Sequence, residues 1–582
     1  MAMRAGPLPF RAQPPQPLPT PTVAAASPLA ERLWNMLPLA CSLLLVSALF
    51  WGPFFVPAVF AVAIVAFFAY WVVRSYAVVV ACFVGLRRMK DAQETNWVAK
   101  YCAWLPGNPD CEPWDWPRHM VIIPNYKESE SGLARTLDSL SAQANAAQLV
   151  VVMAMEGREA GAHAKAARLL LRYRSYFAGM FATHHPAGLP SETPGKGSNE
   201  AWAAREAHIR LIEHEGDDIA RYTVTSCDAD AVFHPRHFEA LNYLFLSNAD
   251  RYRTFWQPTI FNSNNIWDIP APLRIPDGLM GINRLSNLVL PGSVKFPTSC
   301  YSLSWQMLTE VDYWDEEVIP EDWHLYLKCC FTLGDRVHVD GLYLPLGNDC
   351  VLTDGYWKTL RAHYAQSVRH AWGASDIPYA WRASLNGVTP LSRSRRFFVS
   401  GAVTKVHALW MAQWYLVTLG THLPMVLHKA TPADMPSWWI TPFVTVPAIV
   451  PPVGALASGN LASPLAWVTL TVAASLIYIC IVPLFGLIYI EQRLRPPRPD
   501  YVSRQAWLGQ FAVWPLMAVI TFFFASMPAL HAQWKLASGQ GMVYRVAEKG
   551  SRRPAPAGAA PAVLGLGAEP AAEPMGAAGG GA

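Results

Sequence analysis

Long uncharged stretches alternate with ordinary mixed sequence along the chain, and this alternation predicts its organisation. From Leu33 to Leu86 the one charged residue is Arg74. That is enough apolar length for two passes, roughly 34–52 and 56–80, broken near "WGPFFVP". Between about 91 and 392 the pattern changes. The short apolar runs "HMVIIP" (119–124), "QLVVVMAM" (148–155) and "YTVTSCD" (222–228) have the continuous hydrophobicity of buried parallel strands. "ESGLARTLDSLSAQ" and "REAGAHAKAARLLLRYRSYF" between them have helical spacing. Strand–helix–strand alternation of this kind predicts an α/β sheet with crossover helices. Uncharged sequence returns from Ser437 to Ile490 and again over 506–534.

The expected order is therefore a Pro/Ala-rich disordered tail (1–31), two transmembrane helices (32–86) and an α/β domain (87–392). An interfacial or transmembrane helix (393–430), about three further passes (431–535) and a disordered Ala/Gly/Pro-rich tail (551–582) follow. Arg87, Arg88 and Lys90 follow the second pass, and the loop 491–505 carries four arginines, which places both on the cytosolic side. This holds if the stretch 397–428, with Lys405, His407 and His428, lies along the interface and does not cross. An integral, multi-pass membrane protein with a cytosolic catalytic domain is expected.

Composition agrees: 52% of residues are hydrophobic and 15% charged. A net charge of +4 without a basic, aromatic-interleaved run argues against nucleic acid. Ten cysteines without a CxxC pair suggest neither a zinc site nor a disulfide framework.

Ligands in open α/β sheets bind beyond the carboxyl ends of the strands. The first strand ends in "PNYKESE", with Asn125 and Glu128; the second in "MEGRE", with Glu156; the third in Asp228-Ala-Asp230. Acids gathered at one edge are costly unless they meet a cation or donor group, so together they mark a polar crevice. Asp228 and Asp230 suit Mg²⁺ or Mn²⁺ completed by substrate phosphates; alone, the triplet is equally well a turn closing a strand. Downstream, Pro320 is placed to start a helix with Glu321 and Asp322 in its first turn. Asp322 is then either a dipole-favoured first-turn acid or a general base. In "HYAQSVRHAWG" a helix would put Gln366, Arg369, His370 and Gly373 on one face, with Arg369 suited to a diphosphate and Trp372 to stacking on a sugar. Lys196 in "TPGKGSNEAW" is a further phosphate candidate. The Asn- and Trp-rich segment 261–274 lies between the aspartate pair and Asp322 and is a candidate lining for an acceptor site.

The order of these motifs, from P-x-Y-x-E through G-K, D-x-D and E-D to Q-x-x-R, resembles the family 2 glycosyltransferases over about 119–373. More narrowly it resembles the membrane-embedded branch of cellulose, chitin and hyaluronan synthases and ceramide glucosyltransferase. The resemblance implies a GT-A, Rossmann-like nucleotide-sugar-binding domain inserted between membrane helices. It also implies a UDP-sugar donor, a Mn²⁺ or Mg²⁺ ion, and inversion at the anomeric carbon. Asn125, Glu128 and Glu156 would then meet the base and ribose, with Glu156 in place of an aspartate. Asp228 and Asp230 would meet the ribose, metal and diphosphate, and Asp322 would be the base. Gln366 and Arg369 would hold the donor and Trp372 the acceptor. The familiar Q-x-x-R-W is here Q-x-x-R-H-A-W, which weighs against a processive synthase. The reading is thus a single-sugar transferase acting on a lipid or membrane-associated glycan. The alternatives are a processive polysaccharide synthase coupled to export and, in another class, a non-catalytic membrane scaffold.

Overall fold

β1 (Arg118–Asn125) and β2 (Leu149–Glu156) are buried at almost every position because both of their faces are covered. Alternation divides them between two cores: Met120, Ile122, Val150 and Val152 face one, and Val121, Ile123, Val151 and Met153 the other. The computed structural model that shows this describes residues 27–190, 192–419, 475–476 and 479–542. The tail expected over 551–582, most of that over 1–31, the pass at 437–457 and the first part of that at 464–490 lie outside the described residues.

The sheet has eight strands in the order β3-β2-β1-β4-β7-β6-β8-β5. β3 (Gly179–His185), β2, β1 and β4 (Tyr222–Ser226) are parallel to their neighbours, which is the expected crossover half. β5 (Val232–Phe233), β6 (Thr254–Asn262), β7 (Tyr301–Ser304) and β8 (His338–Asn348) complete the sheet. β7 is antiparallel to both β4 and β6, whereas β6 and β8 run parallel. The register pairs Asn125 with Met155 and Glu156 with His185, so these strand ends stand side by side.

Three described helical stretches are long and apolar enough to cross a membrane: Pro28–Gly52, Val62–Glu94 and Arg504–Ala537. The first two belong to α1 (Pro28–Phe55) and α2 (Pro57–Glu94), separated by Val56 alone. α2 runs on past its apolar part and leans on the sheet domain. Arg74 donates to Asn287 Oδ1 at 2.9 Å, and Arg88 to the Tyr343 hydroxyl at 2.7 Å. Within the sheet domain come α3 (Trp97–Trp104), α4 (Glu130–Ser141), α5 (Ala162–Tyr173) and α6 (Lys196–Ala207). They are followed by α7 (His237–Ser247), α8 (Ala271–Val289), α9 (Trp305–Glu310) and α10 (Glu321–Leu333). α11 (Tyr356–Ala371), α12 (Asp376–Asn386) and α13 (Arg393–Leu419) then lead to the late helices. α13 packs against α1, α12 and the helix Met527–Ala537, burying Val403, Met411, Ala412 and Leu416.

α10 is anchored by a buried ionic network. His324 Nδ1 meets Asp376 Oδ1 at 2.7 Å, His324 Nε2 meets Asp315 Oδ2 at 2.9 Å, and Lys328 reaches Asp315 at 2.5 Å. Burial alone would depress the His324 imidazole, but Asp315 and Asp376 outweigh it and raise it to about 9. The folded state therefore binds this proton more tightly than the unfolded chain does. The stabilisation, about 3 kcal/mol, is complete below roughly pH 6.5 and is lost as pH rises through 9. Thermal melts should accordingly show the wild type losing stability between pH 6 and 9.5. His324→Gln should melt lower at pH 6 and change less across that range; equal slopes would exclude His324 as the source.

Candidate active site

At the end of β4 the chain must leave the sheet, and Cys227-Asp228-Ala229-Asp230 makes that exit. Partners distant in sequence fix both aspartates. Asn348 Nδ2 donates to Asp228 Oδ2 at 3.0 Å, and the Asp349 N–H donates to Asp230 Oδ2 at 2.7 Å. Asp349 is itself held by Arg135 (2.6 Å) and by Asn264 Nδ2 (3.0 Å), which also reaches the Asp230 carbonyl at 3.3 Å. Gly347 is a glycine for a packing reason: a Cβ there would overlap Asn264 Oδ1.

Lys196, at the N-terminus of α6, enters the crevice from the other side. Its Nζ lies 3.0 Å from Asp228 Oδ1, 3.1 Å from Glu321 Oε1 and 2.6 Å from the Ser299 carbonyl. Glu200, 3.9 Å from the same ammonium, accepts from Ser226 Oγ at 2.6 Å. Burial would lower the Lys196 pKa, but Asp228, Glu200 and Glu321 together hold it well above its ordinary value. Burial, added to by Glu321 and Asp228, pushes Glu200 the other way, up to about 8 despite Lys196.

Asp322 lies in the first turn of α10, as the proline-led helix start predicts. Its Oδ2 accepts from the Ser299 N–H at 3.0 Å and its Oδ1 from the Trp323 N–H at 2.8 Å. Burial first, and then the adjacent Glu321 carboxylate, push Asp322 up to about 7. Ser299 therefore touches both groups, Asp322 through its N–H and Lys196 through its carbonyl. It does so in the left-handed region, at φ 55°, where a residue with a Cβ is strained.

The other sequence candidates fall into two further groups. Asn125 Nδ2 donates to Glu128 Oε2 at 2.9 Å, and the Tyr126 N–H donates to the same oxygen at 2.6 Å. Glu156, buried, pairs with Arg158 at 2.8 Å and lies 3.3 Å from His185 Nδ1. Arg158 also stands over the Tyr126 ring, 4.6 Å from its centre, which joins the ends of β1 and β2. Gln366 and Arg369 are half-buried on α11. Trp372 is buried with Ile319, Met411 and Ala412, where the sheet domain meets the late helices. Neighbouring Gly373 packs against His407 of α13 and against Pro320, so the end of α11 abuts the start of the Asp322 helix.

Several residues of the crevice had no signal in the sequence. Arg284, half-buried on α8, is pulled down by burial and opposed by Asp228, Asp322 and Asp277 around it. Asn348 ends β8 and Asp349 follows it, about 120 residues after the aspartates they hold. No motif in one sequence predicts such pairings.

Among solved structures the chain is similar to a mannosyltransferase from Pyrobaculum calidifontis in complex with GDP-Man and Mn²⁺, at 16% identity and a TM-score of 0.38, covering 70% of this chain and 99% of that one. It is also similar to residues 1–349 of S. aureus TarS, at 13% identity and a TM-score of 0.31, covering 64% and 90%. The same S. aureus fragment in complex with UDP-GlcNAc gives 12% identity and a TM-score of 0.30, covering 73% and 92%. No curated protein matches the chain. Residues 223–526, just over half of the chain, match glycosyl transferase family group 2. They run from β4 through both aspartates and Asp322 to the late helices, and the chain is a member of that family of glycosyltransferases.

Proposed function

We propose that the chain is an integral-membrane, inverting glycosyltransferase. It moves one sugar from a nucleoside diphosphate donor, a UDP-sugar, to a lipid or membrane-associated glycan. The observation that carries this reading is Asp322: a half-buried carboxylate held by two backbone N–H groups, raised to about 7, beside the Lys196–Asp228 pair. A base with a pKa near the working pH combines a useful ionised fraction with good proton affinity. A scaffold has no use for Asp228, Glu321 and Glu200 gathered around one ammonium with Asp322 beside them, an arrangement that costs folding energy and is typical of functional sites.

In this reading Asp322 takes the proton of the acceptor hydroxyl while that oxygen attacks the anomeric carbon. The bond to the donor diphosphate breaks on the opposite face, giving inversion. Lys196 and Arg284 supply positive charge where the diphosphate leaves, the electrostatic contribution that usually dominates such transfers. Gln366 and Arg369 are proposed as further donor contacts, Trp372 as part of the acceptor wall, and Asn125, Glu128 and Glu156 as the nucleoside end. Asn125 Oδ1 is buried without a protein partner, which fits an acceptor awaiting a base N–H.

The residues fit a divalent cation. Asp228 and Asp230 present carboxylates from one turn, and the nearby Asn348 Oδ1 is buried without a partner. Among the described residues no cluster of three acids, histidines or cysteines forms a full cage, so a donor diphosphate would complete the shell, as Mg²⁺ and Mn²⁺ commonly require. Bound there, the ion would neutralise the leaving diphosphate. We assign the sheet domain to the cytosolic side, with the arginine-rich loop 491–505 and the cluster Arg87, Arg88 and Lys90 at the same face.

Membranes holding the chain should incorporate label from one sugar of a UDP- and GDP-sugar panel into organic-extractable material, and EDTA should stop it until Mn²⁺ or Mg²⁺ is restored. No transfer from any donor would refute the enzyme reading. Retention of all label in large, aqueous polymer would refute the single-transfer acceptor.

A further inference from the structure

A cleft of about 500 Å³ is lined by Trp267, Arg493, Arg498, Arg504, Trp507 and Leu508 among others, none of them a residue of the aspartate crevice. Trp267 forms part of its wall. The indole N–H donates to the Pro496 carbonyl at 3.1 Å, and the guanidiniums of Arg274 and Arg495 lie 5.5 and 5.4 Å from the ring centre. Three residues earlier in the chain, Asn264 holds Asp349 and the Asp230 carbonyl.

The charges here do not balance. Arg495 pairs with Glu491 and donates to Gln510, and Arg498 donates to the Val502 carbonyl. Asp268 accepts the Tyr501 hydroxyl at 3.1 Å, and Asp500 is exposed. Arg493 and Arg504 are exposed and make no ion pair among the described residues. Five guanidiniums therefore face three carboxylates. Burial first, and then the neighbouring Arg495, push Arg274 down to about 10.

The position matters as much as the charge. Arg504 begins the helical run Arg504–Ala537, which is long and apolar enough to cross a membrane. Trp507 and the exposed Leu508 follow it one turn on. Arginine at the water side, tryptophan at the boundary and leucine beyond it is the order of a headgroup layer. Guanidinium forks match phosphate oxygens geometrically as well as in charge. We propose that this cleft binds the phosphate headgroup of an anionic membrane lipid, gripped by Arg493 and Arg504, with the lipid chains passing along Trp507 and Leu508. The proposal rests on the membrane-spanning part of the functional reading and not on the transfer reaction.

The test uses the full chain, delipidated in neutral detergent, and equilibrium binding of dioctanoyl phosphatidylglycerol, dioctanoyl phosphatidylcholine and inorganic phosphate. Phosphatidylglycerol should bind saturably, and about tenfold or more weaker in the Arg493→Gln/Arg504→Gln double variant, with Arg493→Lys/Arg504→Lys in between, because lysine keeps the charge but not the fork. Both side chains are exposed, so the variants should keep the wild-type melting temperature. Equal binding of the two lipids by wild type, or an unchanged double variant, would overturn the proposal. Competition by inorganic phosphate as strong as that of phosphatidylglycerol would overturn the lipid and leave a free-phosphate site. Flotation with phosphatidylcholine vesicles separates the two readings. A chain that does not float refutes membrane insertion and the lipid site with it. A chain that floats without preferring the anionic lipid refutes the lipid site alone.

Discussion

Asp322→Asn should reduce sugar transfer by about 10²- to 10⁴-fold, the usual contribution of a positioned general base. Asparagine is nearly isosteric, and its one amide oxygen can still accept from either the Ser299 or the Trp323 N–H; the other, which now reaches the second carboxylate oxygen, loses its partner, a local cost that a fold of this size tolerates. Folding and donor binding should therefore survive, and the loss should appear in kcat with KM for the donor little changed. The wild-type rate should also depend on pH in a defined direction. Asp322 accepts a proton only when ionised, so activity should climb as pH rises through about 7 and fall away on the acid side. The asparagine variant should lose that acid limb from whatever activity remains. Full activity in Asp322→Asn, measured with the donor that the wild type uses, would remove the residue from the mechanism.

What made Asp322 legible was local chemistry: a proline at the helix start followed by two acids in the first turn. The same holds for Asp228 and Asp230, where a β-branched run declares a strand and its end places the acids. Non-local features were not legible. β6 carries Pro258 at a break in its register with β8, and an internal proline reads as evidence against a strand. β3 ends in paired histidines and offers only a short apolar core. Arg284 looks like a polar residue on an amphipathic helix until α8 is folded across the crevice. Asn348 and Asp349 mean nothing until β8 lies beside β5 and brings them under the aspartates. Trp372 reads as a free stacking surface in isolation, whereas the structure packs it against α13, a helix whose role the charge pattern left open between lying on the membrane and crossing it. Period and caps are written in neighbouring residues; the partners of a crevice are set by topology, which one sequence does not display.

Lys196→Met should produce the second large effect, and its signature differs from that of a lost base. The ammonium stands within 3.0 to 3.9 Å of Asp228, Glu321 and Glu200, so removing it leaves three carboxylates facing one another. Part of that cost is relieved by proton uptake, since Glu200 is already raised to about 8. Lys196 also lowers Asp322, opposing burial and Glu321. Without it the base must titrate above 7, and the acid limb of the rate profile should move to higher pH. Transfer at neutral pH should fall by about 10²-fold or more, from lost charge at the leaving diphosphate together with a base now largely protonated. Lys196→Arg should restore part of the rate and return the limb toward its wild-type position, because charge and not the lysine stem sets the field. A merely structural lysine would lower the amount of folded protein without moving the pH profile of what remains. An unshifted acid limb in Lys196→Met, at whatever rate, would mean that the ammonium does not tune Asp322.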